Sequence, residues 1–184
     1  VLSHCGGEMV STFDKKIIAN DNGEDFKIPG IRRKKRSKFL NDPERWKSVL
    51  DRPECANLHL NLAHFGSNTA WKNPKRDHAK RIPIILDMMA RKDVNVFTDF
   101  SFNLKNDDGT DSFVKMMTDN SPQGKRNAEL IKTKCMFGTD FWVVLPMSDL
   151  VNDQREFLQK VGAYGNNMLI KNVLDFLQLN NMIV

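Results

Sequence analysis

Apolar and polar positions follow one another along the chain in two patterns, as short apolar runs and as longer stretches with helical spacing. Three of the apolar runs each deliver one ligand-type side chain at the point where a strand should give way to a loop. These runs occupy residues 1–7, 57–66 and 134–141, and the side chains are His4, His64 and Asp140. The run from Asn57 to Gly66 favours a buried strand, although periodicity leaves a buried helix open.

Stretches with the spacing of one-sided helices separate the apolar runs. Asp42-Pro43 is a helix-start signal, and Trp46, Val49 and Leu50 follow it on one face. Further helices are predicted at 80–91, 112–118, 128–131, 152–161 and 167–177, with a strand at 94–100. Residues 106–109 are predicted to form a turn rather than a calcium loop, because they lack the spacing of an EF-hand. This alternation predicts an α/β fold of parallel βα units with its helices, including the two terminal ones, outside the sheet.

The three ligand-type side chains share a position in these predicted units. In a parallel sheet or barrel the active site forms at the carboxyl ends of the strands, where loops vary while the strands hold their last residues rigidly. Histidine and carboxylate are standard ligands of Zn²⁺. We therefore expect His4, His64 and Asp140 to meet in space.

Four motifs along the chain resemble a known superfamily. They are Ser3-His4-Cys5-Gly6-Gly7, Leu62-Ala63-His64-Phe65-Gly66, residues 96–102 (Val-Phe-Thr-Asp-Phe-Ser-Phe) and Phe137-Gly138-Thr139-Asp140-Phe141. In this order they resemble the second half of the amidohydrolase-related metal-dependent hydrolases, which are TIM barrels. The resemblance covers nearly the whole chain. It implies a partial (βα)8 TIM barrel in which parallel strands 5 to 8 carry outer helices, and His4, His64 and Asp140 end the fifth, sixth and eighth strands.

The resemblance also implies roles for these residues. His4 would be a direct ligand of a divalent metal, most simply zinc. His64 would be a second-metal ligand or an acid/base group beside the substrate. Asp140 would bind metal and accept the proton of the attacking water. The implied reaction is hydrolysis of an ester, lactone or amide of a small-molecule substrate by metal-activated water. Nonoxidative decarboxylation is the alternative within the same superfamily.

The chain is short for the fold that it resembles. It has 184 residues, whereas a complete barrel typically needs about 250. We interpret residues 1–184 as the C-terminal half of the barrel, because the first residue, Val1, falls inside a strand pattern and the His-x-His pair of the superfamily is missing. The other half would be a separate chain, a lost segment or a second copy. The isolated chain is expected to bind metal weakly and to have little activity.

Charge introduces a hypothesis of another class. The formal net charge is +5, and six basic residues fall between Arg32 and Lys38 in a predicted loop insertion at 14–40. Such a run can bind an anionic partner or nucleic acid in a noncatalytic module. It has no interleaved aromatic residues to stack on bases, so a solvated loop is the simpler interpretation and nucleic acid is not the expected partner.

The remaining observations concern the cellular compartment and the weaker site candidates. Three cysteines without a C-x-x-C pair argue against a disulfide framework and for the cytoplasm, and no apolar stretch has the roughly 20 residues of a membrane span. His59 is predicted to point away from the site because of its strand parity, and His78 to be exposed. Asp99 could line the mouth of the barrel or be structural. Trp71 could contact substrate or anchor packing.

Overall fold

The computed structural model describes residues 1–5, 18–21, 24–27, 42–72, 77–101, 107–138 and 149–179. The strands in these ranges are β1 (Leu2–His4), β2 (Ile18–Asp21), β3 (Glu24–Lys27), β4 (His59–Ala63), β5 (Asn95–Phe100) and β6 (Cys135–Phe137). The helices are α1 (Glu44–Leu50), α2 (Asn68–Lys72), α3 (Arg81–Ala90), α4 (Asp107–Met117), α5 (Pro122–Lys134), α6 (Leu150–Val161), α7 (Tyr164–Asn166) and α8 (Asn172–Leu177). A π-helical segment, Asn167–Lys171, joins α7 to α8.

Four of these strands form a parallel sheet in the order β1-β4-β5-β6. The register pairs His4 with Ala63, Leu62 with Thr98, and Thr98 with Cys135. Each strand therefore lies beside the next one of the sheet along the chain, and their carboxyl ends meet at one edge. The predicted α/β fold with a parallel sheet and surrounding helices is confirmed.

One face of the sheet carries the main hydrophobic core. Leu60 and Leu62 of β4 and Val96 and Phe100 of β5 are buried there, because alternate side chains of a strand point to the same face. Phe100 stacks on Phe157 of α6 at 5.1 Å between ring centroids. Residues of α3, α4 and α5 complete this core, among them Ile85, Met88, Met89, Phe113 and Ile131. The helix predicted at 80–91 is thus present as α3, and one side of it packs on this core.

The opposite face of the sheet is covered by α8, and we call it the α8 face. It carries His59 and Asn61 of β4, Phe97 and Asp99 of β5, and Met136 of β6. Phe176 of α8 lies 5.5 Å from Phe97 between ring centroids, and its carbonyl oxygen is 2.9 Å from His59 Nδ1. The two terminal helices, both predicted to pack outside the sheet, therefore lie on opposite faces of it, α6 on the face of the main core and α8 on the α8 face.

Two local predictions also differ from the structure. Asp107 and Gly109 lie in the first turn of α4 rather than in a turn of their own, and acidic residues are favourable at a helix N-terminus. Within the predicted 14–40 loop insertion, β2 and β3 pair as an antiparallel hairpin, with Asp21 opposite Glu24. The basic run from Arg32 to Lys38 lies outside the described residues.

No helix in the described ranges combines the length and the apolar character that crossing a membrane requires.

Candidate functional site

The chain makes an unusual turn directly after β4, at residues 64–67, which we call the His64 turn. Its four residues all have positive φ, at 67° for His64, 40° for Phe65, 82° for Gly66 and 87° for Ser67. For residues other than glycine this conformation costs of order 1–3 kcal/mol each and persists only where the surroundings impose it. Here the indole Nε1 of Trp71 donates to the Phe65 carbonyl at 3.0 Å, and Phe65 is fully buried.

Gly66 is needed for close packing at this turn as well as for its conformation. A β-carbon at this position would lie 3.2 Å from Cβ of Arg81, in the first turn of α3. The His64 turn is therefore pressed against α3 on one side and against Trp71 on the other. This packing holds His64 at the carboxyl end of β4.

Asp99 of β5 is the centre of a hydrogen-bond network at this end of the sheet. Its side chain is only 7% exposed. Its Oδ2 accepts from Asn61 Nδ2 at 2.7 Å, and its Oδ1 accepts from the backbone nitrogens of His64 at 3.1 Å and Ser101 at 3.2 Å. The hydroxyl of Ser101 also donates to Oδ1. Because Asp99 ties β4, β5 and the His64 turn together, it fixes their relative positions.

Ser101 connects this carboxylate to the imidazole of His64. Its Oγ lies 2.8 Å from His64 Nδ1. Since a carboxylate only accepts, the hydroxyl proton of Ser101 points to Asp99, and the Ser101 oxygen must accept from Nδ1–H. In the neutral imidazole the lone pair then lies on Nε2. A hydrogen bond at one ring nitrogen is the usual way in which proteins orient a histidine whose other nitrogen acts as a ligand or a base.

The end of β6 approaches the same network through Gly138. A β-carbon on Gly138 would lie 2.8 Å from Cβ of Ser101 and 3.6 Å from Oδ1 of Asp99. Only glycine allows this approach without displacing Ser101. The carboxyl ends of β4, β5 and β6 therefore converge on one place, as predicted for parallel strands.

A cavity of about 650 Å³ opens on the α8 face beside the network. Its polar wall is formed by Asn61, His64, Asp99 and Ser101. Apolar side chains from three other elements also line the cavity. They are Leu2 of β1, Met136 of β6, and Val173, Phe176 and Leu177 of α8. The volume is in the range typical of small-molecule sites, which combine apolar walls with a few polar groups.

Of the three predicted site residues, His64 lies on this cavity. The backbone of His4 pairs with Ala63, the residue before His64, and its side chain is outside what the structure describes. Asp140 lies outside the described residues, two positions beyond Gly138. Within the described ranges, no group of three or more His, Cys, Asp or Glu side chains could hold a metal ion.

The other sequence candidates have different environments. Trp71 is a packing anchor, with its ring 5.1 Å from Phe65 and 5.8 Å from Phe100 between centroids. His59 lies outside the cavity lining and stacks on Phe97 at 6.2 Å. The alternation of side chains along a strand does not relate His59 to His64, because His64 lies in the turn after β4 and not in the strand. The side chain of His78 is outside what the structure describes.

The sequence analysis missed Asn61 and Ser101 and left Asp99 undecided. The pairing of β4 with β5 could have indicated them. It places Asn61 beside Phe97, so that Asp99, two residues further along β5, lies diagonally from Asn61 on the same face of the sheet. A polar residue inside an otherwise apolar strand is informative when a diagonal neighbour on the same face of the sheet is also polar.

Two of the three cysteines, Cys5 and Cys135, are unsuited to nucleophilic chemistry. All three are free thiols, and Cys5 and Cys135 are buried. Burial raises the pKa of Cys5 to about 12, and it raises the pKa of Cys135 well above its usual value. Since the thiolate is the reactive form, both thiols are inert at neutral pH.

No protein-family model, curated protein or solved structure matches the chain.

Proposed function

We propose that the chain is part of a metal-dependent hydrolase that cleaves an amide, ester or lactone of a small-molecule substrate. The observation that carries this proposal is the Asp99–Ser101–His64 network at the carboxyl ends of β4 and β5. It orients one imidazole on a cavity of small-molecule size, at considerable cost in backbone conformation. Strain of this kind is concentrated at functional sites.

The sheet supports a barrel-derived architecture. Its strands follow the chain in the order β1-β4-β5-β6, all parallel, as strands 5 to 8 of a (βα)8 barrel would. We propose that the chain is half of such a barrel and that a second segment or partner chain completes it. In a closed barrel the α8 face would point to the axis, so closure requires α8 to leave this face.

The chemistry of His64 fits a divalent metal such as zinc, since its Nδ1 is engaged by Ser101 and its lone pair is on Nε2. His4 and Asp140 are the other proposed ligands, from the ends of the neighbouring strands. When bound, the metal would acidify a water or polarise a carbonyl. Decarboxylation would use the same three residues.

Each residue of the proposed site then has a defined role. Asp99 holds Ser101 and the His64 turn, and Ser101 sets the tautomer and orientation of His64. Asp140 takes the proton of the attacking water. Met136, which lies beside Asp99 on the same face of the sheet, keeps an apolar surface next to the site and lowers the access of bulk water.

Zinc binding measured on the purified chain by native mass spectrometry and by competition with a chelator tests the proposal. We expect weak but specific binding of at least one zinc ion per chain. Ser101→Ala should lose about 10–100-fold in affinity, because outer partners of a ligand histidine have effects of this size. Removal of a ligand in His4→Ala, His64→Ala or Asp140→Ala should weaken binding further.

His59→Ala is the matched control, because His59 is the first residue of β4, the strand that precedes His64, and its ring lies outside the cavity lining. It should retain zinc like the parent chain. Equal zinc affinity in the parent chain and His64→Ala would refute the assignment. Completion of the barrel by a partner would appear in the same spectra as a complex heavier than 21.2 kDa.

A further inference from the structure

Asn61 has an unusual environment on the polar wall of the cavity. Its amide nitrogen donates to Asp99 Oδ2 at 2.7 Å. Because a carboxylate has no proton to give, the reverse orientation would set two acceptor oxygens against each other. The amide therefore cannot turn over, and its Oδ1 is held on the side away from Asp99.

This oxygen has no hydrogen-bond partner within the part of the chain that the structure describes. Asn61 is only 5% exposed. Buried polar side-chain atoms are almost always paired, so a fixed acceptor without a partner requires an explanation. The carboxylate behind Asn61 also polarises the amide and makes Oδ1 a stronger acceptor.

The surroundings of Asn61 indicate what could pair with it. Asn61 lines the cavity of about 650 Å³. Met136 lies on the same face of the sheet, and Val173, Phe176 and Leu177 of α8 lie across the cavity from it. The site thus offers an acceptor on one side and a surface for an aromatic or aliphatic group on the other. Oδ1 itself has almost no exposed surface, so a ligand atom reaches it only by displacing the atoms that cover it at the floor of the cavity.

We propose that this cavity binds a small molecule with an apolar body and an N–H or O–H group that donates to Asn61 Oδ1. As a statement about the substrate class, this rests on the proposed function. Of the carbonyl compounds considered there, it selects secondary amides over esters and lactones, because an ester oxygen in place of the N–H would oppose Oδ1 with a second acceptor.

Two probes that differ in this one group test the inference. N-methyl-2-phenylacetamide and methyl phenylacetate share their phenyl ring and carbonyl, and N–H in the first is replaced by oxygen in the second. Their dissociation constants are measured by ¹H–¹⁵N NMR titration of the metal-free chain. We expect the amide to bind about tenfold more tightly, the ratio expected for one well-placed hydrogen bond.

Variants separate the acceptor from the apolar wall. Asn61→Ala should reduce the ratio to about one. Leu177→Ala should weaken both probes alike and leave the ratio unchanged, because Leu177 contributes only apolar surface and is half exposed. The dispersion of each variant's spectrum reports that it is folded.

In Asp99→Asn the preference for the amide probe over the ester probe should be lost or reversed if the Asn61 amide is oriented as described. The new amide keeps an oxygen toward His64 and Ser101 and presents its NH₂ to Asn61. Asn61 must then turn its oxygen toward position 99 and its own NH₂ toward the cavity. The ester should bind this variant at least as tightly as the amide does.

Equal affinity of the two probes for the parent chain, no saturable binding of either, or an amide preference that survives in Asn61→Ala would overturn the inference. These measurements need neither metal nor turnover. A chain that prefers the amide but binds no zinc would therefore contradict the hydrolase proposal alone, and a chain that binds zinc without this preference would contradict the inference alone.

Discussion

Replacing Asp99 should destabilise the protein far more than removing an exposed carboxylate does. In Asp99→Ala four donors lose a charged acceptor, two from backbone nitrogens and two from the side chains of Asn61 and Ser101. Hydrogen bonds to charged groups are each worth about 1.5–3 kcal/mol. The variant avoids burying a carboxylate and lets water reach some of the donors, so we expect a net loss of about 3–5 kcal/mol.

Asp99→Asn separates the charge from the hydrogen bonds. It has nearly the same shape and keeps an oxygen for the donors of His64 and Ser101, and Asn61 can turn to accept from the new NH₂. We expect a loss of about 1–2 kcal/mol, since four neutral bonds replace four charged ones and the buried charge is removed. The order of stabilities should therefore be parent, then Asp99→Asn, then Asp99→Ala.

Urea unfolding followed by tryptophan fluorescence and circular dichroism gives these free energies. Asp111→Asn is the control, because Asp111 forms an exposed ion pair with Lys160 at 3.0 Å, and such pairs contribute less than about 1 kcal/mol. An Asp99→Ala protein within 1 kcal/mol of the parent would refute the role of Asp99 as the centre of the network. If Asp99→Ala does not fold, the smaller loss in Asp99→Asn still tests the argument.

Two further predictions concern Gly138 and the buried thiols. Gly138→Ala should cost about 1–3 kcal/mol in urea unfolding, because its β-carbon would lie 2.8 Å from Cβ of Ser101. Gly165→Ala should cost less, because its β-carbon would meet Leu158 at 3.3 Å and Val161 at 3.5 Å, both through the ends of their side chains. Equal losses would contradict the tight approach of Gly138. The free energy of unfolding should also fall between pH 9 and 12, since the Cys5 thiol ionises near 9.0 when unfolded and only near 12 when folded, so the unfolded state releases the proton first. Cys5→Ala should make this decline shallower and Cys55→Ala should not, and an unchanged decline in Cys5→Ala would show that burial of this thiol is not its cause.

The local pattern of the sequence was sufficient for most of the elements. Strand β4 and helix α3 were predicted near their observed bounds, because an apolar run closed by Gly66 and a helical stripe of isoleucine and methionine each have one simple way of being buried. The hairpin of β2 and β3 was missed although Asn22-Gly23 between them is a strong hairpin signal. The polar composition around it obscured that signal.

What the sequence by itself determined was therefore the alternation of strands and helices and the position of His64 at the end of a strand. The tertiary structure decided what surrounds that histidine. Asp99 and Ser101 come from the neighbouring strand, and the pairing of β4 with β5 is needed to bring them to His64. Likewise, the periodicity of α8 shows that it has an apolar side but not which face of the sheet will cover it. That choice depends on His59 and Phe97, residues about 80 to 117 positions away in the chain, and contacts of such separation exist only once the sheet has formed.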